Sequence, residues 1–487
     1  MTGLQSLVDA HPVQVTALIT PERRWSYGDL ASAAHHLAAA MRTDGLRGER
    51  VALMLPNGSD AVLAYLACFA SGAVAAPLNS RYAAPEVAGA LRRARPRWLI
   101  VHPDRRPILD AVPADALDGV RVLVAPVPAS TPAAGSSTEP LGGAAEDPVP
   151  GAAPAVIFFT SGSTGVPKGV VHSHDSAHAV LASTSQALGD LRADDVVQVF
   201  EPLVHVSGFI GTFTTLLAGG TVSLHEGFRP DAYVEALRRD RPTLICTHID
   251  VLAQVLRVPG ISGSDFASLR GVYTGGDSVP GHLQIEFAEL TGLPIGVGWG
   301  MTEAIWLTVA RRPPADRDGF IGYPVGGAQV RTDPATGELL VRGPMVMSGY
   351  WADDELTAST LQDGWLHTGD LGRPDAAGGW WFTGRIKDII VRRTSKITPG
   401  EVESALQQHP AVAVAAVVAA SDPEEGQVPV AFVVPRPGAA VTGSELVDFL
   451  RSRIAAYKIP ARIHVRSELP LTASGKISRH DLHEPAP

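Results

Sequence analysis

Residues 160–169 read Thr-Ser-Gly-Ser-Thr-Gly-Val-Pro-Lys-Gly and directly follow an apolar stretch, Ala-Val-Ile-Phe-Phe, at residues 155–159. The apolar stretch predicts a buried strand, and the His- and Ala-rich residues after the loop predict a helix. The glycines allow tight turns whose N–H groups point inward, while four hydroxyl groups and the Lys168 ammonium supply further donors. A loop of this kind between a strand and a helix predicts an oligophosphate site. It is not a Walker A loop, because Pro167 stands where that motif requires glycine.

Strand and helix patterns alternate on both sides of this loop, over residues 26–125 and again from residue 155 to about residue 320. Such alternation predicts a mostly parallel sheet. Residues 125–154 contain mainly Pro, Ala, Gly and Ser, which predicts a flexible loop. Short strands and Gly/Pro turns after residue 320 predict a β-rich subdomain. The last hundred residues have apolar segments of their own, which predicts a small α+β domain.

We therefore expect an α/β protein with a large N-terminal domain of mixed αβ layers plus a β-rich subdomain over residues 1–384. A small α+β C-terminal domain is expected over residues 385–487. The length of 487 residues exceeds one ordinary domain, and a hydrophobic share of 45% excludes general disorder. A net charge of −10 without a basic block argues against nucleic-acid binding.

Cysteine content and apolar run length indicate the compartment. Cys68 and Cys246 are the only cysteines, too few for a disulfide framework or a four-thiolate zinc site. The first residues lack a basic start followed by an apolar stretch, as a secretory leader would have. The longest apolar run, Ala411 to Ala420, is shorter than the about twenty residues of a membrane span. We expect a soluble, cytoplasmic protein without a membrane span.

Lysine is rare in this chain: of 40 basic residues only five are lysines, at positions 168, 387, 396, 458 and 476. Lysine is a compact point charge that can approach a phosphate oxygen or a reacting carboxylate closely. The lysines at positions 168, 387 and 476 all lie in the motifs described next, and are therefore candidate functional residues.

Residues 158–174, FFTSGSTGVPKGVVHSH, resemble the signature loop of the adenylate-forming enzymes, which include acyl-CoA synthetases, luciferases and the adenylation domains of peptide synthetases. Six further segments follow in that family's order. They are PLVHVSG at 202–208, YTGGD at 273–277, GWGMTE at 298–303, HTGDL at 367–371, GRIKDIIV at 384–391 and LTASGKISR at 471–479. The resemblance implies an acid–thiol ligase that uses ATP, Mg²⁺ and CoA. A carboxylic acid becomes an acyl-adenylate, which is then transferred to the CoA thiol.

The resemblance also implies a nucleotide site. Its residues would be Thr160, Ser161, Gly162, Ser163, Thr164, Gly165, Lys168, Gly275, Gly276, Asp277, Trp299, Gly300, Met301, Thr302, Asp370, Arg385 and Lys476. Asp370 would accept the ribose hydroxyls, and Trp299 stands where relatives stack a tyrosine on adenine. Glu303 would ligate Mg²⁺.

Three residues are implied to act in catalysis. Thr302 would contact the α-phosphate, and His205 would lie between the acyl pocket and the nucleotide. Lys476 would bridge the attacking carboxylate and the phosphoryl oxygens, delivered by a C-terminal domain that is mobile in this family. Lys387 matches the hinge about which that domain turns between the two half-reactions.

Residues of the acyl pocket are implied by position in the same segments: Val204, Ser207, Phe209, His248, Tyr273, Gly296 and Trp306. Gly296 and Gly298 are expected to leave volume for the substrate. These residue types predict a medium-sized, largely apolar or cyclic acid from specialised metabolism.

The chain departs from the family pattern after residue 391. Arg392, Arg393 and Thr394 stand in the loop that lines the CoA tunnel in relatives, where a pair of glycines is usual. The acceptor therefore stays open between CoA and a separate carrier protein. It also stays open whether the chain performs both half-reactions or only one, or binds adenylate with little turnover. A homodimer is neither predicted nor excluded.

Overall fold

The computed structural model describes residues 3–126, 148–160, 168–275, 279, 281–314, 319–393, 395–470 and 477–482. Some residues of the predicted site lie outside these ranges: 161–165, Gly276, Asp277, Thr394 and Lys476. Predictions that concern them stay predictions.

Helices and strands alternate through the first part of the chain, as the sequence predicts. The elements are β1 (Thr16–Ile19), β2 (Arg24–Ser26), α1 (Tyr27–Thr43), β3 (Arg50–Met54), α2 (Ser59–Ser71), β4 (Val74–Pro77), α3 (Ala84–Ala94), β5 (Trp98–Val101), α4 (Ala114–Leu117) and β6 (Arg121–Val124). Helix α1 begins at a capping box in which Ser26 and Asp29 exchange side-chain to backbone hydrogen bonds. The sequence patterns did not identify β1, β2, α3, α4 and β6, which apart from α3 have only three or four residues.

The alternation of helices and strands resumes around the predicted phosphate loop at residues 160–169. The elements are β7 (Pro154–Thr160), β8 (Lys168–Ser173), α5 (His174–Ala187), β9 (Val196–Val199), α6 (Val206–Leu217), β10 (Thr221–Leu224), α7 (Pro230–Asp240), β11 (Leu244–Cys246), α8 (Ile249–Val255), β12 (Gly271–Gly275), α9 (Gly281–Thr291), β13 (Ile295–Met301) and β14 (Ala304–Ala310).

Short strands then dominate, followed by the small C-terminal unit. The elements are β15 (Phe320–Pro324), β16 (Gln329–Thr332), β17 (Glu338–Arg342), β18 (Gly349–Tyr350), α10 (Asp354–Thr360), β19 (Leu361–Gln362), β20 (Trp365–Pro374), β21 (Trp380–Arg385), β22 (Ile390–Arg392), β23 (Ser395–Ile397), α11 (Pro399–Gln407), β24 (Val412–Asp422), β25 (Gly426–Pro435), α12 (Gly443–Arg451) and β26 (Arg462–Val465).

Three sheets organise the described residues. The largest has the order β16-β17-β20-β21-β15-β14-β13-β12-β11-β9-β10-β1-β2, with β19 beside β20, and the second has the order β18-β8-β7-β4-β3-β5-β6. The third, β23-β22-β25-β24 with β26 beside β25, contains only strands that follow residue 389. The predicted α/β class with a large N-terminal and a small C-terminal domain is confirmed. The β-rich region after residue 320 extends the largest sheet, because β14 and β15 pair antiparallel.

Helices α1, α2, α5 and α6 share one hydrophobic core with strands of both large sheets. This arrangement explains why α2 is buried on nearly all sides, from Ala61 to Phe69. The third sheet packs against α11 and α12 in one separate core, and its other face packs against Leu469 and Leu482 in a smaller one. Among the described helices, none has the length and apolar character needed to cross a bilayer.

Candidate active site

The direction of the strand connections in the largest sheet reverses between β9 and β11. These strands are parallel neighbours, and the chain leaves β9 toward β10 on one side and β11 toward β12 on the other. Ligands of open α/β sheets bind at such a switch point. His205 follows β9 and His248 follows β11, both half-buried, so two predicted site residues lie at this edge.

A buried carboxylate that the sequence analysis did not identify lies at the same edge. Glu201 is 5% exposed, and its carboxylate accepts a short hydrogen bond from the Thr247 hydroxyl. Burial raises the pKa of this carboxyl group. The backbone of the same loop is fixed by Asn57, whose amide donates to the Glu201 carbonyl at 2.8 Å and accepts from the Leu203 N–H at 2.8 Å. This clamp holds the segment that carries His205.

The segment with Thr302 and Glu303 forms the turn between β13 and β14. His172 lies on β8, and its Nε2 is 2.8 Å from the Thr302 carbonyl oxygen. Because a carbonyl oxygen can only accept, Nε2 must carry the proton and donate. Burial lowers the pKa of His172 to about 4, so the imidazole is neutral at physiological pH. The hydrogen bond thus ties the strand that follows the phosphate loop directly to the turn of Thr302.

Tyr350 contacts both Lys168, which is predicted to bind phosphate, and Glu303, which is predicted to bind the metal. Its hydroxyl donates to Glu303 Oε1 at 2.8 Å, and the Lys168 ammonium lies 5.6 Å from the centre of its ring. Burial and the neighbouring Glu303 raise the pKa of Tyr350, so the phenol stays protonated and remains a donor. A carboxylate beside a phosphate site is the donor type that Mg²⁺ combines with phosphate oxygens and water. Glu303 therefore fits the predicted metal position.

Asp370 is buried, with 4% of its surface exposed, in β20. Its carboxylate accepts from the Trp299 indole N–H at 2.9 Å and from Arg385 Nε at 3.1 Å. Burial raises the pKa of Asp370, while the Arg385 charge opposes that rise. The structure thus brings three predicted nucleotide residues together. The indole ring of Trp299 is 7% exposed, and its stacking on adenine stays a prediction.

Gly275 lies close to these groups, at the end of β12. A methyl group there would lie 3.2 Å from the Gly298 carbonyl, so any larger side chain would crowd β13. Gly300 is more restricted, since a Cβ on this residue would lie 2.7 Å from the backbone nitrogen of Trp306. Thr160 ends β7 opposite Lys168, and therefore frames the phosphate loop.

The expectation that Gly296 and Gly298 leave volume for the substrate is wrong, because aromatic rings fill that space. A Cβ on Gly298 would lie 1.8 Å from Trp306 Cζ3, and one on Gly296 would lie 2.5 Å from Tyr273 Cδ1. Trp306 has a left-handed backbone with φ +48°, and its carbonyl accepts from Ser183 Oγ at 3.0 Å. The glycines accommodate the rings instead of a ligand.

The other residues predicted for the acyl pocket are half-buried or buried. Val204 lies before α6 and Ser207 in its first turn, and both are half-buried. Phe209 is 1% exposed and packs among other aromatic rings, including Phe158 with its ring centre 5.2 Å away. Contact of these residues with an acyl group stays a prediction.

The positively charged loop after residue 391 is held by an acidic partner. Arg392 forms a short ion pair with Glu425 and donates to the Tyr457 carbonyl at 2.9 Å. Arg393 has a 69% exposed side chain and lies 3.4 Å from the same carboxylate. Of the two arginines, Arg393 therefore has more of its guanidinium available to meet a phosphate. Their predicted role in the CoA tunnel is not tested by these contacts.

Lys387 is exposed in the short turn Ile386–Asp388, between the last strand of the largest sheet and the first strand of the third sheet. This is where a hinge between the two units would lie. The motion itself stays a prediction.

The structure places the predicted nucleotide residues Trp299, Asp370 and Arg385 in contact within an open α/β sheet. Residues 4–351 match the model of the AMP-binding enzyme family, and residues 401–476 match that of the AMP-binding enzyme C-terminal domain. The chain belongs to this family. It is an AMP-forming acid–thiol ligase of the acyl-CoA synthetase type.

Several relatives extend over nearly the whole chain. A feruloyl-CoA synthase of Amycolatopsis sp is 35% identical, covering 94% of this chain and 93% of the relative. An indoleacetate–CoA ligase of Aromatoleum aromaticum is 36% identical, covering 96% and 94% respectively. The crystal structure of the anthranilate CoA ligase AuaEII with anthranoyl-AMP superimposes with a TM-score of 0.85 at 28% identity, covering 98% of this chain and 96% of that one.

Proposed function

We propose that this chain converts a compact aromatic or cyclic carboxylic acid to its CoA thioester through an acyl-adenylate, performing both half-reactions. The single observation that carries the nucleotide part is the buried Asp370 carboxylate, oriented by Trp299 and Arg385. A carboxylate with two fixed donors has remaining lone pairs that can accept the two ribose hydroxyls.

In the first half-reaction the substrate carboxylate attacks the α-phosphorus of ATP, and pyrophosphate leaves. The Thr302 hydroxyl and the Lys476 ammonium stabilise the negative charge that develops on the phosphoryl oxygens. Glu303 would hold Mg²⁺, which neutralises phosphate charge when bound. His172 keeps the Thr302 turn in register with the phosphate loop.

In the second half-reaction the CoA thiol, as thiolate, attacks the acyl carbonyl, the thioester forms and AMP leaves. Adenylation and thioester formation need different protein groups around the same acyl carbonyl. A rotation of the C-terminal domain about Lys387 would exchange these groups between the two half-reactions. Arg393 is the candidate contact for CoA phosphates, because its guanidinium is largely exposed.

Ring packing supports the proposed substrate class. The rings of Tyr273 and Trp306 occupy the space beside Gly296 and Gly298. We infer that this packing limits the room for a long acyl chain. A flat aromatic or cyclic acid needs less depth and gains contact with flat rings. The names of the two curated relatives and of the solved ligase all contain aromatic acids, which agrees with this class.

The proposed thiol acceptor is CoA, and the proposed compartment is the cytoplasm. CoA is favoured over a carrier protein because the relatives compared above are named for CoA. Cytoplasmic location is proposed from the two free cysteines, Cys68 and Cys246.

The function is tested by incubating the pure protein with ATP, Mg²⁺ and a panel of benzoate-, cinnamate- and indole-type acids beside fatty acids of increasing length. Each acid is paired with CoA or with a phosphopantetheinylated carrier protein. Acid-dependent pyrophosphate release and an aryl-CoA product are expected. Thioester on the carrier alone would overturn the choice of acceptor, and no pyrophosphate release with any acid would overturn the function.

Replacing Trp306 with glycine is expected to shift the substrate preference toward longer acids. Glycine tolerates the left-handed backbone at this position, so the main change is loss of the ring over Gly298. We expect the ratio of kcat/KM for a ten-carbon fatty acid to that for a benzoate to rise about tenfold, the scale of adding room for one or two methylene groups.

The matched control is Tyr323→Ala, since Tyr323 is an aromatic residue of the same sheet with 47% exposure. It should leave the chain-length profile unchanged. An unaltered profile in a folded Trp306→Gly protein would show that this ring does not limit the acyl site.

A further inference from the structure

Strand β20 is distorted next to Asp370. Glu338 of β17 faces Leu371 and Leu340 faces His367, so one residue of β17 lies opposite three residues of β20. Leu339 thus lies opposite Thr368, Gly369 and Asp370, and β20 has two residues more than β17 in this stretch. Bulges of this kind leave backbone groups unpaired and redirect a side chain.

The unpaired groups of this bulge are taken up by two side chains. Glu338 Oε1 accepts the Gly369 N–H at 2.8 Å, and Glu338 Oε2 accepts from His367 Nδ1 at 3.0 Å. The Thr368 hydroxyl donates to the Leu339 carbonyl at 2.6 Å and accepts the Asp370 N–H at 3.0 Å.

The carboxylate of Glu338 is therefore engaged on both oxygens while lying in a buried position, 8% exposed. Gly369 has φ +71°, a left-handed conformation that helps turn the chain toward Asp370. Without the Glu338 acceptor, the Gly369 N–H would lose its partner in a half-buried part of β20, and the bulge would relax toward regular pairing.

We infer that Glu338 is a positioning residue for nucleotide binding, which holds the β20 bulge so that the Asp370 carboxylate points at the ribose. His367 fixes the second oxygen of Glu338 and thereby the orientation of the whole carboxylate. This inference rests on the proposed ribose role of Asp370. Glu338 itself lies two strands away from Arg385 and acts only through the bulge.

The test measures kcat/KM for ATP, 2′-deoxyATP and 3′-deoxyATP by pyrophosphate release with a saturating acid. In the wild type, removal of a ribose hydroxyl should lower kcat/KM because Asp370 loses a hydrogen-bond donor. Glu338→Ala should lower kcat/KM for ATP about tenfold, the value of one buried hydrogen bond, and bring the three nucleotides close together. Glu338→Gln should retain most of the discrimination, since its amide oxygen still accepts from Gly369.

Two further variants keep the inference falsifiable. Thr368→Val preserves side-chain shape and removes both hydrogen bonds of the Thr368 hydroxyl, so it should also reduce discrimination between ATP and its deoxy analogues, even if Glu338→Ala fails to fold. Glu355→Ala, which alters an exposed acid in α10, should behave as wild type.

A Glu338→Ala protein that loses activity equally with all three nucleotides has only a structural defect, and the inference is then wrong. Unchanged activity of that variant would also contradict it. Suppose that Asp370→Ala abolishes the discrimination between ATP and its deoxy analogues, whereas Glu338→Ala and Thr368→Val preserve it. The ribose role of Asp370 then stands, and the positioning role of Glu338 is wrong. If Asp370→Ala itself still discriminates, the ribose assignment fails, and the inference fails with it.

Discussion

Replacing Lys476 with alanine is expected to slow acyl-adenylate formation by about 10²–10³-fold, the usual cost of removing one group that stabilises transition-state charge. Conversion of a supplied acyl-adenylate to the CoA thioester should be nearly unchanged. The reason is that the ammonium is required while negative charge builds on the phosphoryl oxygens. It has no such role when the thiol attacks the carbonyl and AMP departs.

The two half-reactions are measured separately, adenylation as acid-dependent pyrophosphate release and thioester formation from synthetic acyl-adenylate and CoA. Lys458→Ala is the matched control, because Lys458 is also a lysine of the C-terminal unit and its ammonium pairs with Glu401. Equal loss of both half-reactions in Lys476→Ala would contradict the assignment.

Replacing Asp370 with alanine is expected to weaken ATP binding by about 10²-fold, through loss of hydrogen bonds between a charged group and two hydroxyls. The variant also leaves the Trp299 N–H and Arg385 without their acceptor. Asp370→Asn keeps the side-chain volume and one oxygen acceptor, so it should bind ATP with intermediate affinity. An ATP affinity equal to that of the wild type would refute the ribose role.

The pH dependence of ATP binding provides a second readout of the same residue. Burial raises the pKa of Asp370, so its carboxylate becomes protonated at a higher pH than an ordinary aspartate. A protonated carboxyl accepts hydrogen bonds less well, and affinity should therefore fall as the solution is acidified. In Asp370→Asn this fall in ATP affinity at acidic pH should be absent. The folding of both proteins is compared at each pH as a control.

Local patterns predicted most of the strands and helices, because amphipathic periodicity and turn residues are encoded within single elements. The strand predicted at residues 155–159 is found as Pro154–Thr160, and the helix predicted after the loop is found as His174–Ala187. The resemblance to the adenylate-forming enzymes likewise implied that Asp370, Trp299 and Arg385 belong to one site, and the structure places them in contact.

Contacts between distant segments were not predictable in this way. The hydrogen bond from His172 to Thr302 joins residues 130 positions apart, and that from Thr247 to Glu201 joins residues 46 apart. Neither has a local signal. The volume expected beside Gly298 was wrong for the same reason, since only the folded chain shows that Trp306 returns across the hairpin to fill it.

The central claim is that one nucleotide site, formed by Asp370, the Thr302–Glu303 turn and the loop before Lys168, serves acyl-adenylate formation. A crystal structure with a non-hydrolysable aryl-adenylate analogue tests it most directly. We expect the ribose hydroxyls within hydrogen-bond distance of the Asp370 carboxylate, and the phosphoryl group beside Thr302. An analogue bound elsewhere, with Asp370 still engaged only by Trp299 and Arg385, would contradict the account.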